Sequence, residues 1–123
     1  MAKNILVIDD SAAICALMRL VLEQAGHQVF EAHDGEDAYE LLDGRPLDLI
    51  LCDLAMPRMD GMSFLRRLRH HPRYRSTPLA LVTTENRPER RAEARSAGAQ
   101  AYLAKPVRLA LLLEAVQRLC PAA

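Results

Sequence analysis

Apolar residues gather in this chain into short unbroken runs, each stopped by a charged or turn-forming residue. The segments between the runs carry apolar residues at helical spacing instead. Asn4 to Ile8 is one such run, halted by Asp9-Asp10, and it reads as a buried first strand. Ser11 or Asp10 can cap the helix that follows, in which Ile14, Leu17, Met18, Val21, Leu22 and Ala25 recur at helical spacing until Gly26. Gln28 to Ala32 reads as a second, shorter strand. Asp34-Gly35 opens a helix with Ala38, Leu41 and Leu42 inward, broken by Asp43-Gly44-Arg45-Pro46. Leu49 to Cys52 is apolar throughout and ends in Asp53. A Pro/Gly-punctuated loop, Leu54 to Gly61, then leads to a helix running to about His70, with Phe64, Leu65 and Leu68 inward. Leu79 to Thr83 is a fourth strand, Asn86 to Ala97 a polar helix with Pro88 in its first turn and Gly98 at its end, and Gln100 to Ala104 a fifth strand. Val107 to Leu119 closes the pattern as a helix with Leu109, Leu112, Leu113 and Val116 inward. Leu111 falls on its opposite side, near Val107, Ala115 and Arg118.

Five strands thus alternate with five helices, and each strand-to-strand connection has the dozen or more residues a parallel crossover requires. Right-handed crossovers give an α/β fold, a doubly wound five-stranded parallel sheet with helices on both faces. The order 2-1-3-4-5 makes strands 1, 3 and 4 central, in keeping with their apolar runs. At 123 residues, without repeat or linker, residues 1–123 read as a single domain with no output domain attached; the final helix runs out at Cys120-Pro121-Ala122-Ala123.

Charge changes this picture more than composition does. The net charge is zero. Residues 1–62, however, hold twelve acidic and four basic side chains, and residues 63–123 hold four acidic and twelve basic. The split implies an acidic site at one end and a basic face elsewhere. Cys15, Cys52 and Cys120 are odd in number and widely spaced, so they read as core residues of a reducing compartment and not as a disulfide frame or zinc site. The four histidines, His27, His33, His70 and His71, show no metal-ligand spacing. Without a signal-peptide pattern or a membrane-length apolar run, the expected location is the cytoplasm, with no membrane partner.

The strand ends carry the candidate chemistry. Under the order above, Asp9-Asp10, Asp53, Thr83 and Lys105 share one sheet edge, the edge where open α/β sheets bind ligands. Neighbouring strands lie about 4.8 Å apart, so three carboxylates crowd together and need a counter-charge. A hard divalent cation with oxygen ligands supplies it, and Mg²⁺ is the usual choice. Metal, hydroxyl and ammonium around one carboxylate suit a transferred phosphoryl group, whose charge spreads over three oxygens, with Asp53 as the nucleophile forming an aspartyl-phosphate. Taken singly, each residue has a plainer use. Asp9-Asp10 caps a helix, Asp53 starts a turn, Thr83 ends a strand, and Lys105 sits solvated beside Pro106. Those uses are unrelated to one another, whereas the phosphoryl site accounts for all of them.

Asp9-Asp10 after a strand, Asp53 followed by Met56-Pro57 and Met59-Asp60-Gly61, Thr83, and Tyr102 ahead of Lys105-Pro106 together resemble a response-regulator receiver domain of two-component phosphorelays. The resemblance covers essentially the whole chain and implies the flavodoxin-like order 2-1-3-4-5. It implies a phosphorylation-dependent switch in which Asp53 accepts a phosphoryl group from a sensor histidine kinase or a histidine phosphotransfer protein. The chain would then catalyse nothing beyond its own phosphorylation and dephosphorylation. It implies Asp10, Asp53 and the Ala55 carbonyl as direct Mg²⁺ ligands, with Asp9 acting through water. Thr83 and Lys105 would meet the phosphoryl oxygens, Tyr102 would reorient as Thr83 moves, and the bond before Pro106 would be cis. The altered face would be the fourth helix, fifth strand and fifth helix, offered to a downstream protein or to a second copy.

Three positions depart from the family's pattern. Ala55 cannot orient water with its side chain, Thr84 is bulkier than the small residue often found there, and Val107 replaces a common Phe. Two other readings stay open at this point: a Mg²⁺-dependent phosphohydrolase using Asp53, and a receiver module excised from a larger DNA-binding or enzymatic regulator. No insertion encloses a substrate, which counts against the first. Direct nucleic-acid binding through Arg66, Arg67, Arg69, Arg73 and Arg75, or Arg87, Arg90, Arg91 and Arg95, is opposed by zero net charge and scarce aromatics.

Overall fold

A computed structural model describes residues 2–120. Its elements are β1 (Asn4–Ile8), α1 (Ala12–Gln24), β2 (Gln28–Ala32), α2 (Gly35–Leu42), β3 (Leu49–Cys52), α3 (Gly61–Arg69), β4 (Leu79–Thr83), α4 (Pro88–Ala97), β5 (Ala101–Ala104) and α5 (Leu109–Leu119). The strands form one parallel sheet in the order β2-β1-β3-β4-β5. The two-residue period of a strand sorts their side chains into two cores. Leu6, Ile8, Ile50, Cys52, Leu79 and Leu81 face α2, α3 and α4, where Ala38, Leu42, Phe64, Leu65, Leu68 and Ala94 cover them. Ile5, Val7, Leu49, Leu51, Ala80 and Val82 face α1 and α5, meeting Cys15, Met18, Leu22, Leu112 and Val116. All three cysteines are buried and free.

Short polar side chains start the first three helices. Ser11, Asp34 and Asp60 accept hydrogen bonds from the backbone N–H groups of Ile14, Asp37 and Ser63 at 3.3, 2.9 and 2.8 Å. α4 starts later than the apolar pattern implies. Proline disfavours helical backbone in the residue before it, so Arg87 is extended and Pro88 takes the first helical position. Arg108 is likewise extended, so α5 begins at Leu109 while Val107 packs against the α1/α5 core. Pro121 and the residues after it, where the sequence runs out, lie outside the described residues.

The core face of α5 is not the expected one. Leu112, Ala115 and Val116 are buried, while Leu109 and Leu113 are 42% and 36% exposed. The buried stripe is turned toward Ala115, so only a small side chain meets the sheet on that flank. Leu111 is exposed, as its position on the wheel requires, but Ala115 does not share its side. In α1, Leu17 is exposed and Cys15 takes the core position, because the stripe Cys15–Met18–Leu22 is the one aligned with the sheet.

Two side chains that the pattern did not single out tie the end of the sheet opposite Asp53. Half-buried Arg69 donates to the carbonyls of Thr77 and Gly98, both at 2.8 Å, and so joins α3 to the loops around β4 and β5. Tyr74 is fully buried, and its hydroxyl is shared between the carbonyls of Leu42 and Arg45, each at 2.7 Å. Removing that hydroxyl takes a donor from both carbonyls, of which Leu42 keeps the Arg45 N–H. Tyr74→Phe is expected to lower unfolding free energy by about 1–2 kcal/mol, measured by urea denaturation. Tyr74→Ala, which also opens a cavity, is expected to cost about 3–5 kcal/mol. An unchanged urea midpoint in Tyr74→Phe would mean that the hydroxyl contributes nothing.

Candidate functional site

Strand pairing assembles the acidic edge. Ile8 lies opposite Cys52 in the β1/β3 register, so the residues after them, Asp9 and Asp53, leave the sheet side by side. The backbone continues the ladder there, with Asp53 N–H donating to the Ile8 carbonyl at 2.8 Å and Asp9 N–H to that of Ala32 at 3.1 Å. Asp9 is 1% exposed and Asp53 7%, whereas Asp10 is open to solvent. One carboxylate oxygen of each of Asp9, Asp10 and Asp53 lies within 4.8 Å of the others.

Lys105 enters this cluster from the far end of β5. Its backbone N–H donates to the Thr83 carbonyl at 2.9 Å, extending the β4/β5 ladder by one residue. Its Nζ lies 2.6 Å from Asp9 Oδ2 and 3.2 Å from Asp53 Oδ2, so the ammonium is seated more closely on Asp9 than on Asp53. The Lys105–Pro106 peptide is cis. Asp9 Oδ1 accepts from Ser11 N–H at 2.9 Å, and Asp53 Oδ1 from Leu54 N–H at 2.7 Å. Burial raises the pKa of Asp53 and the neighbouring charge of Asp9 raises it further, while Lys105 and the Leu54 N–H only partly offset this. Burial works against the Lys105 ammonium, but its bond to Asp9 and the charges of Asp53 and Asp9 prevail and hold its pKa above the ordinary value.

Three carboxylates and one ammonium leave two negative charges uncompensated at this edge. All the clustered donors are oxygens, and the outermost, Asp10, faces solvent. That donor set fits a hard divalent cation that keeps several waters.

Thr83 is buried at the end of β4, and its Oγ1 accepts from the Glu85 N–H at 3.2 Å. Glu85 is also held from the other side. The Tyr102 hydroxyl donates to its carbonyl at 2.7 Å, and the Arg91 guanidinium lies over the Tyr102 ring at 4.9 Å. Thr83 and Tyr102 therefore meet through one residue, Glu85, by its N–H and its carbonyl, and neither hydroxyl contacts the carboxylates in this state. Ala55 and Thr84 are exposed in the loops flanking the edge.

The loop after β3 is fixed by two features that the sequence reading did not weigh. Gly61 packs directly on the Asp53 carbonyl, and any Cβ there would overlap it. Arg58 adopts positive φ (63°) and donates to Asp34 Oδ2 at 2.7 Å and to Asp37 Oδ1 at 2.8 Å, fastening the loop to the start of α2. The Arg58 hydrogen bond and the Asp37 N–H hold the Asp34 carboxyl below its usual range. Gly61 was visible as part of the Met59-Asp60-Gly61 motif. No spacing rule links Arg58 to Asp34, because α2 and the loop meet only in three dimensions.

Comparison with known proteins agrees with this geometry. The family model described as the response regulator receiver domain matches residues 5–117. A gliding motility regulatory protein of Myxococcus xanthus is 37% identical over 117 residues, which cover 94% of this chain and 15% of that protein. The transcriptional regulatory protein SrrA of Staphylococcus aureus is 35% identical over 106 residues, 86% of this chain and 43% of SrrA. The chain thus spans less than half the length of these curated relatives. Among solved structures, the chemotaxis protein CheY4 of Vibrio cholerae superposes with a TM-score of 0.92 at 34% identity, covering 97% of this chain and 99% of that one. The receiver domain of a sensor histidine kinase from Pseudomonas aeruginosa, which has a magnesium ion coordinated in its active-site cleft, superposes at 0.89 with 28% identity, over 99% of this chain and 100% of that one.

The crowding of Asp53 has a consequence for stability. Its pKa is raised on folding, so its contribution to stability is fully present when it is protonated, below its unfolded pKa, and is lost as pH rises through the folded value. At pH 7 the folded state carries the cost of the ionised, desolvated group. In metal-free buffer Asp53→Asn is therefore expected to raise the urea midpoint at pH 7, with the gain shrinking as pH falls through the acidic range. A midpoint lowered by Asp53→Asn at pH 7 would mean that the Lys105 contact outweighs the crowding.

Proposed function

The chain belongs to the response regulator receiver domain family, and we propose that it is a phosphorylation-dependent switch whose acceptor is Asp53. The observation that supports this most directly is the Lys105 ammonium bridging Asp9 and Asp53 at the acidic edge. In the transfer, a carboxylate oxygen of Asp53 forms a bond to phosphorus while the bond from phosphorus to the donor breaks. The donor is the imidazole nitrogen of a histidine kinase or phosphotransfer protein, or the acetate oxygen of acetyl phosphate, and it departs with the bonding electrons. Asp9, Asp10, Asp53 and the Ala55 carbonyl would hold Mg²⁺, which supplies neutralisation of the phosphoryl charge when bound. Lys105 is positioned to move from the carboxylates onto the incoming phosphoryl oxygens. Ala55 offers no side chain to orient an attacking water, which favours a long-lived aspartyl-phosphate.

Thr83 and Tyr102 convert this chemistry into a change of shape. For its Oγ1 to reach the phosphoryl group, Thr83 must release the Glu85 N–H. The carbonyl of the same Glu85 at present holds the Tyr102 hydroxyl, so moving Glu85 frees the ring. The face that would respond is α4, β5 and α5, where Leu111 is exposed beside half-buried Leu103 and Val107 along a shallow surface pocket. A downstream protein or a second copy of the chain would dock there. We place the protein in the cytoplasm, where such kinases deliver phosphoryl groups; among the described residues no helix is long and apolar enough to cross a membrane.

Incubation with acetyl phosphate and Mg²⁺ is expected to add one phosphoryl group by intact-mass measurement. Asp53→Asn or removal of the metal should abolish the addition. Labelling that persists in Asp53→Asn would overturn the assignment. For the docking face, Leu111→Glu is expected to leave phosphorylation intact and to weaken self-association of the beryllofluoride-bound protein in sedimentation, or binding of its partner. Association unchanged by the substitution would remove Leu111 from the interface.

A further inference from the structure

A second group of metal-binding donors lies beside the acidic edge. Glu31 and His33 stand two residues apart at the end of β2, so they emerge on the same side of the strand, while Ala32 between them is buried in the opposite core. Cys15 lies in the first turns of α1, which packs over that side. Its Sγ sits 3.4 Å from the Asp9 carbonyl and 4.0 Å from that of Ala32. The thiol sulfur, a Glu31 carboxylate oxygen and a His33 ring nitrogen fall within 4.8 Å of one another. Three atoms no more than 4.8 Å apart share a point within about 2.8 Å of each, against about 2.0–2.3 Å for bonds to zinc, so closure of less than an ångström completes the site.

We propose that Cys15, Glu31 and His33 form a binding site for a thiophilic divalent cation of the zinc type, separate from the all-oxygen cluster of Asp9, Asp10 and Asp53. The donor chemistry separates the two sites: thiolate and imidazole select zinc and its neighbours in the transition series, whereas magnesium takes oxygen. Three protein ligands leave a fourth position for water. Arg19 occupies only Oε2 of Glu31, at 2.7 Å, which leaves Oε1 for the metal, and Glu23 is at hand as a second partner for Arg19. Access is from His33, which is exposed, and from a surface pocket walled by Glu31, His33, Asp37 and Glu40, whose carboxylates give a cation an acidic approach. On binding, a sulfur–metal bond replaces the Sγ–H bond and the proton leaves to solvent. The thiol then ceases to face the Asp9 carbonyl as a donor, so occupancy reaches the backbone of the acidic edge. The site stands whether or not Asp53 is phosphorylated.

Cobalt is the probe that separates the sites, because only a thiolate ligand gives a sulfur-to-cobalt charge-transfer band in the near ultraviolet. One equivalent of Co²⁺ added to the reduced protein is expected to produce that band. One equivalent of Zn²⁺ should remove it, and excess Mg²⁺ should leave it in place. Cys15→Ser should lose the band. His33→Ala, at an exposed position, and Glu31→Gln, a near-isosteric change at a half-buried one, should each weaken Co²⁺ binding by more than the roughly 10–100-fold that loss of an outer-shell partner costs. Asp10→Asn should bind Co²⁺ with the band unchanged. Absence of the band, its survival in Cys15→Ser or at full affinity in His33→Ala, or its loss in Asp10→Asn or excess Mg²⁺, would each overturn the proposal.

Discussion

One ammonium between two buried carboxylates is the contact on which the edge of this sheet depends. Asp9 and Asp53 leave neighbouring central strands in register, so the ladder that stabilises the fold also forces their charges together. Away from bulk water such repulsion is only weakly screened, and neither group can turn aside, because one oxygen of each accepts a backbone N–H. Lys105 relieves the repulsion by entering from β5 on the opposite side of β4, which makes the cation of the site a product of the sheet order. A sheet that ended at β4 would have an acidic edge without its ammonium.

The relief is incomplete, and the proposed chemistry needs it to be. Two negative charges stay uncompensated, and Asp10 faces solvent, where a hydrated cation could arrive without first stripping all of its water. The loop that would complete the site is held stiff by unrelated means. Gly61 lies against the Asp53 carbonyl, and Arg58 ties the loop to Asp34, the N-cap of α2. Stability is drawn from the two cores and the ties of Arg69 and Tyr74 at the far end, so the acidic edge can carry electrostatic cost without being what holds the fold.

Much of this was legible in the amino-acid order, and the reason is periodicity. The runs Asn4–Ile8, Leu49–Cys52 and Leu79–Thr83 are apolar because both faces of a central strand are covered, which marked these three as central, while the full order came with the family resemblance. The acidic edge was legible because strand ends mark it. What escaped the sequence was whatever depends on rotation or on long-range meeting. In α5, where leucines fill most positions on the wheel, the pattern could not choose between the stripe through Leu109 and Leu113 and the one through Ala115. Tyr74 and Arg69 act through hydrogen bonds to carbonyls, which leave no periodic trace. Cys15, Glu31 and His33 showed no metal-ligand spacing because most of α1 separates the first donor from the other two; the β1–α1–β2 crossover brings them together.

The energetics of the proposed switch fit the interactions present. In this state Thr83 and Tyr102 are held to Glu85 by two hydrogen bonds, at 3.2 and 2.7 Å. Each contributes about 0.5–1.5 kcal/mol net, so about 1–3 kcal/mol opposes their release. Inverting a two-state equilibrium from about 1:99 to 99:1 takes about 5.5 kcal/mol of differential interaction. A phosphoryl group on Asp53 would meet Lys105 and Thr83 through charged hydrogen bonds of about 1.5–3 kcal/mol each. It would also draw the ammonium off carboxylates that at present compete for it. Together the two bonds would supply about 3–6 kcal/mol, more than the about 1–3 kcal/mol that opposes release and reaching full inversion only at the upper end, yet too little to disturb cores that bury whole strands on both faces. The proposed change would then stay local to the α4–β5–α5 side, where β5 is only partly buried and α4 sets a single fully buried residue, Ala94, against the sheet.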